Sequence, residues 1–407
     1  MGGLMRLVAV FLLLALPLVA QADMSFTGFV QQNTAFNTVE ASPDGHHHKW
    51  LEERVRLQLD ASQGNWRLLL KGDAAYDHLG RGDQSELREG YVDYAAGNWD
   101  LRVGRQVITW GLGDLVFVND VFSKDHEALF AGRPLEYLKR GVDAVKLGVY
   151  PAFASFELVV APEFQESRIP DARRFHLYDP MPALTNRVTE KPSHGDIGLR
   201  IYRDVAGWDG AVYLYRGYQR TPSMRPDSMT APTRITYFYP ELSTYGASLS
   251  GRVGEGVLSL EAAYYDSRED RAGTDFTVPN SQTRLLAAYQ LQPWEDFSLS
   301  VQYYVERMHD HAAYRAALPA GFPVEERSNH TLGFRATQFF LHQTLRLSVY
   351  ASRASNDDYF VNPELRYSFT DRVWGALGAN VFGGKPWGQF GQLSRDDNVY
   401  LQLRYEF

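Results

Sequence analysis

The chain has 407 residues, a formal charge of −8 at neutral pH and no cysteine; its hydrophobic share is 44% and its aromatic share 14%, from 24 Tyr, 23 Phe and 8 Trp. The negative balance excludes a generally basic nucleic-acid binder, and the missing cysteines exclude disulfide stapling and thiolate metal sites. The aromatic excess suits belts at two membrane interfaces instead.

Residues 1–22 read as a cleaved secretory signal. Arg6 supplies the positive start, Leu7 to Val19 an apolar run, and Ala20-Gln21-Ala22 a small-x-small cleavage site. The run falls short of the about 20 apolar residues that a spanning helix needs, and no later segment approaches that length. Residues 23–407 show no Pro/Ser-rich linker and no compositional break, so they are expected to form one domain.

Within that domain, eighteen segments alternate apolar and polar side chains with a period of two. They lie near 24–38, 50–62, 65–77, 87–96, 98–107, 140–150, 153–163, 195–203, 208–218, 242–253, 256–267, 281–292, 296–308, 329–341, 343–353, 358–369, 371–383 and 397–407. The second segment turns Val55, Leu57 and Leu59 one way and Arg54, Arg56, Gln58 and Asp60 the other. In the third, Trp66, Leu68, Leu70 and Tyr76 oppose Arg67, Lys71 and Asp73. Later, Leu285, Ala287 and Tyr289 oppose Arg284, and Leu345, Leu347 and Val349 oppose Arg346. An Arg or Lys on a lipid face at mid-depth costs roughly 2–4 kcal/mol, so the charged sets are expected to line a lumen. Arg102, Arg105, Arg200, Arg252, Arg335, Arg366 and Arg404 are assigned to that wall with Asp93, Glu157, Asp196, Glu261, Glu306, Glu364 and Glu406. Two readings of the arginines stand: a bidentate preference for carboxylate, sulfate or phosphate, or simple pairing with the wall acids.

Connections alternate short and long. Ser62-Gln63-Gly64-Asn65, Ala96-Gly97-Asn98, Asp204-Val205-Ala206-Gly207 and Gly254-Glu255 are tight turns, whereas 39–49, 108–139, 164–194, 219–241 and 309–328 are long. The longest, 108–139, carries an apolar segment, Leu115 to Phe122, and a loop of about thirty residues with its own core is expected to fold inward and narrow the pore. It would present Asp114, Asp120, Lys124, Asp125, Arg133 and Lys139 to a permeant; an external cap is the competing reading. Loop 164–194, with Arg168, Arg173, Arg174, His176 and Arg187, could form a basic vestibule or a lipopolysaccharide-contacting surface. His46-His47-His48 and His309-Asp310-His311 read as polar loop surface, so no metal and no cofactor are expected. Ser193-His194 is an adjacent pair without a Gly-x-Ser-x-Gly elbow, and no catalytic residue is assigned.

The chain ends on Val399, Leu401, Leu403, Tyr405 and Phe407 alternating with Tyr400, Gln402, Arg404 and Glu406. This resembles the C-terminal assembly signal of Gram-negative outer-membrane barrels, which implies recognition by the barrel-assembly machinery. Leu101-Arg102-Val103-Gly104-Arg105-Gln106, followed by Trp110-Gly111-Leu112-Gly113-Asp114, resembles the Gly-Arg-Gln strand and Gly-Asp turn of alginate-export-type barrels and related outer-membrane porins. That likeness implies an eighteen-stranded barrel with an arginine-rich pore; the balancing wall acids depart from the pattern.

The expected fold is therefore all-β: a closed antiparallel transmembrane barrel of eighteen strands, or sixteen, in the outer membrane of a Gram-negative bacterium. Either count leaves an aqueous lumen. The expected function is passive diffusion of small polar or anionic solutes. The alternatives are an export conduit for an anionic polymer or lipid working with periplasmic partners, a barrel enzyme and an adhesin. Expected partners are outer-membrane lipid, lipopolysaccharide and the solute, with no nucleic acid.

Overall fold

The computed structural model describes residues 23–80 and 85–407, so the signal reading of 1–22 lies outside the described residues. The first barrel strands are β1 Asp23–Asn37, β2 His48–Gln63, β3 Trp66–Asp77, β4 Glu86–Ala96, β5 Trp99–Gln106, β6 Val142–Val149 and β7 Ser155–Ala161. Then come β9 Asp196–Val205, β10 Trp208–Tyr218, β13 Glu241–Val253, β14 Gly256–Ser267, β15 Gln282–Trp294 and β16 Phe297–Met308. The last are β17 Ser328–Phe340, β18 Leu345–Ala354, β19 Tyr359–Ser368, β20 Val373–Gly383 and β21 Asn398–Glu406. All eighteen predicted strands are present, with ends displaced by no more than two residues.

Each of these strands pairs antiparallel with its neighbour in sequence, and β21 returns to β1 in the register Phe29↔Glu406 to Asn37↔Asn398. Closure matters because a sheet edge in an apolar medium would leave a row of peptide groups unsatisfied. The seam is locked at its end by reciprocal 2.9 Å hydrogen bonds between Gly28 and Phe407. Gly28 has no substitute there, since a Cβ would meet the Arg56 carbonyl and the Phe407 ring.

The barrel inverts the burial of a soluble protein. Leu57 is 47% exposed on the outside, while Arg54, three residues before it on the opposite face, is 1% exposed on the inside. At the end with the short turns, aromatic groups sit outward in clusters such as Trp66–Tyr94–Trp99 and Trp294–Phe297, with centroids 4.1–5.4 Å apart. At the end with the long loops, outward aromatics pair with histidines: Phe36–His48, Tyr76–His78, Tyr264–His309 and Tyr303–His330. Among the described residues no helix is long and apolar enough to cross a membrane.

Two features were not expected. The loops hold a small sheet in which β12 Ile235–Phe238 pairs antiparallel with β11 Ser223–Pro226 and parallel with β8 Arg187–Thr189. Strands of three or four residues are too short to print a period of two. Short helices also form at His126–Phe130 and His311–Ala317.

Candidate functional site

The site is the lumen, and the segment that shapes it runs from residue 107 to 139. It lies inside the barrel in two arms. The first arm leaves β5 and is held by side chains of three distant strands. Glu261 of β14 accepts hydrogen bonds from the backbone N–H of Leu112 (2.6 Å) and Gly113 (2.8 Å) and from Asn119 Nδ2 (2.7 Å). Gln302 of β16 mimics a strand partner, accepting from Asp114 N (3.1 Å) and donating to its carbonyl (2.7 Å). Arg335 of β17 grips the Asp114 carboxylate with two nitrogens, the fork geometry that makes guanidinium–carboxylate pairs strong. Apolar burial does the rest: Val118 and Val121 pack with Tyr215, Leu242, Tyr265 and Leu286, and Trp110 packs with Phe122 and Tyr213.

The second arm is helical and charge-bound. Asp125 caps the helix His126–Phe130 by accepting from Ala128 N (2.9 Å), supplying one of the acceptors that a helix start lacks. At its other end the Phe130 carbonyl receives Asn380 of β20 (3.2 Å) and Asn398 of β21 (3.1 Å), and the Gly132 carbonyl receives Gln402. Gly132 has φ +76°, and a Cβ there would strike the Tyr400 ring. Arg133 pairs with Glu52 of β2, which also takes Arg54. The Trp50 ring lies between Arg133 (3.9 Å) and Arg174 (3.7 Å), and the Tyr137 ring faces Arg54, Arg56 and Arg88 at 4.6–4.8 Å. Burial beside Lys124 pushes the His126 imidazole down to about 4, burial raises the Glu127 carboxyl against the pull of Arg174, and burial lowers the Lys124 ammonium.

Inside the barrel lie three cavities, each sharing lining residues with the next. A cavity of about 530 Å³ at the loop end is lined by Arg284, Tyr304, Glu306, Glu325, Asp358, Lys385 and the tip Leu115 to Phe117. The same tip lines a middle cavity of about 290 Å³ whose lining, including Asp114, Asp120, Glu136 and Lys139, comes entirely from residues 107–139. Glu136 in turn reaches a cavity of about 470 Å³ at the turn end, lined by Arg56, Lys71, Arg372 and Arg404 with Asp371 and Glu406. The middle cavity is thus enclosed by a ring that one loop forms.

A basic row crosses the turn-end half of the wall. Register sets Arg346 opposite Arg366; Arg366 and Arg404 share the Trp374 ring at 3.8 and 4.8 Å; Arg404 and Arg56 share the Phe29 ring at 3.8 and 4.8 Å. Among the described residues Arg366 has no ion-pair partner, whereas Arg346 holds Glu364 and Arg404 holds Glu136.

The sequence-predicted residues divide three ways. Arg54, Arg56, Lys71, Arg102, Arg200, Arg284, Arg335, Arg346 and Arg366 are inward, and most are paired: Lys71 with Glu89, Arg102 with Asp93 and Arg284 with Glu306. Arg67 and Arg252 are inward near the short turns, and Glu157 accepts from Trp110 Nε1. Arg105 is corrected: it falls three residues after inward Arg102, so the two-residue period turns it outward, where it pairs with Asp143. Asp120, Lys124, Asp125 and Arg133 are also corrected, from groups offered to a permeant to buried ties; only Asp114 and Lys139 of the six stay partly open. Loop 164–194 is not a free basic vestibule: Arg174 is fully buried on Asp77 and Glu127, Arg168 pairs with Asp125, and Arg187 pairs with Asp179. Sequence reasoning missed Glu52, Glu136, Asn380, Asn398 and Gln402. Glu52 shares the inward register of Arg54 and was legible; the others are visible only once distant strands are neighbours.

No family model and no curated protein sequence matches the chain. Among solved structures, the barrel is similar to Pseudomonas aeruginosa OccK2 (OpdF) in complex with glucuronate, with TM-score 0.58 and 11% identity over 95% of this chain and 96% of that chain. It is similar to Pseudomonas aeruginosa OccK11 (OpdR), with TM-score 0.57 and 10% identity over 95% and 96%. Acinetobacter baumannii OccAB3 gives TM-score 0.56 and 7% identity over 95% and 99%. At such identities the likeness is one of fold: a closed porin-type barrel.

Proposed function

We propose that this chain is an outer-membrane porin-like channel for passive diffusion of small polar or anionic solutes, with the ring of residues 107–139 as its constriction. The observation that carries the reading is the succession of three charged cavities through a closed barrel. The apolar outer face between two aromatic belts suits a lipid bilayer, and the terminal strand ending in Phe407 suits recognition by the assembly machinery. Inside, a solute is held by opposed charges loosely enough to leave again. Arg366, stacked but unpaired, can take a carboxylate without first breaking a salt bridge. Glucuronate, present in the OccK2 complex, is a solute of that chemical class.

The alginate-export comparison rested on the Gly104-Arg105-Gln106 strand and the Gly113-Asp114 turn; with Arg105 turned outward, its arginine does not serve a polymer path. Planar-bilayer conductance of the refolded chain across a salt gradient tests the proposal. Discrete open steps with an anion-biased reversal potential are expected, and the bias should shrink in Arg366→Gln while the step size holds. Folded protein without conductance would overturn it.

A further inference from the structure

On the outside of β16, β17 and β18, three basic residues occupy the lipid-side register at the loop end. Arg307 lies one residue from the loop-side end of its strand, His330 two residues from its end, and Arg353 one residue from its end. The inward set fixes the assignment: Gln302, Tyr304 and Glu306, then Asn329, Thr331 and Arg335, then Tyr350 and Ser352 all face the lumen or its loop. The residues between them face out. Pairing is diagonal, with His330 opposite Val305 and Arg353 opposite Leu332, which spaces successive side chains about 7–8 Å apart in a line across three strands.

Beneath this line the same face is apolar and exposed, through Val301, Tyr303, Leu332, Phe334 and Leu347. Tyr303 holds His330 in place, hydroxyl to Nδ1 at 2.7 Å with the rings stacked. Among the described residues Arg307 has no anionic partner, and Arg353 has only exposed Asp357 at 3.8 Å, a pair worth little. A guanidinium at the edge of an apolar belt is best satisfied by an anionic headgroup whose tails lie along that belt.

We propose that this face binds the phosphate groups of a phosphorylated glycolipid in the outer leaflet. The line spans two diagonal steps, about 15 Å, which fits two phosphates carried at the two ends of a disaccharide better than the single phosphate of a phospholipid. The inference rests on the membrane reading above.

The test uses the refolded chain in phosphatidylcholine vesicles doped with bis-phosphorylated lipid A, with the same lipid A stripped of phosphate, or with phosphatidylglycerol at matched charge. The readout is the temperature at which the barrel loses its compact mobility in dodecyl sulfate, followed against lipid fraction. Phosphorylated lipid A should raise that temperature more than either comparison lipid. R307Q/H330Q/R353Q should need about thirtyfold more lipid A for half the rise, on the scale of two surface arginines losing their anions. Arg203→Gln, outward at the turn end of β9, should leave the response unchanged. An equal rise with phosphate-free lipid A or with phosphatidylglycerol, or an unaltered response in the triple variant, overturns the glycolipid surface alone. Failure of the unsubstituted chain to insert into plain phosphatidylcholine overturns the membrane reading and this surface with it.

Discussion

The two arms of the inward loop reach the wall by different means. The first is stitched by hydrogen bonds that Glu261 accepts from backbone N–H groups and Gln302 exchanges with backbone, and by one partly open ion pair between Arg335 and Asp114. The second is clamped by fully buried charge, with Arg133, Arg54 and Glu52 all nearly inaccessible. A backbone N–H that loses its acceptor costs the desolvation of that one neutral group, while a buried ion left without its partner costs more. The ring therefore has a soft side and a stiff side.

Breaking the stiff side should give the largest effect. Glu52→Ala strands Arg133 in the interior and leaves Arg54 with Asp73 alone, and should destabilise the folded barrel by about 3–5 kcal/mol, read as a lower heat-modification temperature. The stacking of Arg133 on Trp50 would not compensate. Breaking the soft side should cost less but widen the pore more selectively. Glu261→Ala orphans the N–H groups of Leu112 and Gly113 at about 1–3 kcal/mol. It should raise single-channel conductance while the helical arm keeps its protection from proteolysis. If both substitutions cost the same, the contrast between the arms fails. Arg335→Gln with Asp114→Asn should show a coupling of about 1 kcal/mol in a double-mutant cycle, because that pair is partly wet.

A pH-dependent effect belongs to the helical arm. The folded protein holds His126 near 4 against 6.5 when unfolded, so its neutral form is the one that packs. Its contribution is complete above about 6.5 and is lost as pH falls toward about 4. Glu127, raised by burial, acts in the opposite sense. Unfolding temperature should decline over that window, and His126→Asn should flatten the decline.

Strand position and facing were legible because the period of two is a local signal that repeats along every strand: Arg54, Arg56 and Arg346 lie where alternation puts them. Inward folding of residues 107–139 was legible from length and from the apolar run Leu115 to Phe122. What a polar loop residue does was not, because Asp125 as a helix cap and Arg133 as a clamp depend on partners at Ala128 and Glu52 that only the fold selects. Arg105 shows the reverse case, in which the motif drew attention away from an alternation already present in the strand.

The carbonyls of Phe130 and Gly132 are received by Asn380, Asn398 and Gln402, on the two strands that lead into the seam. Asn398 and Gln402 belong to β21, the strand that closes the sheet against β1. Zipping of the wall and tightening of the passage are then one late, cooperative event in assembly, so a barrel caught before that moment would be both unsealed at its seam and unfiltered at its centre.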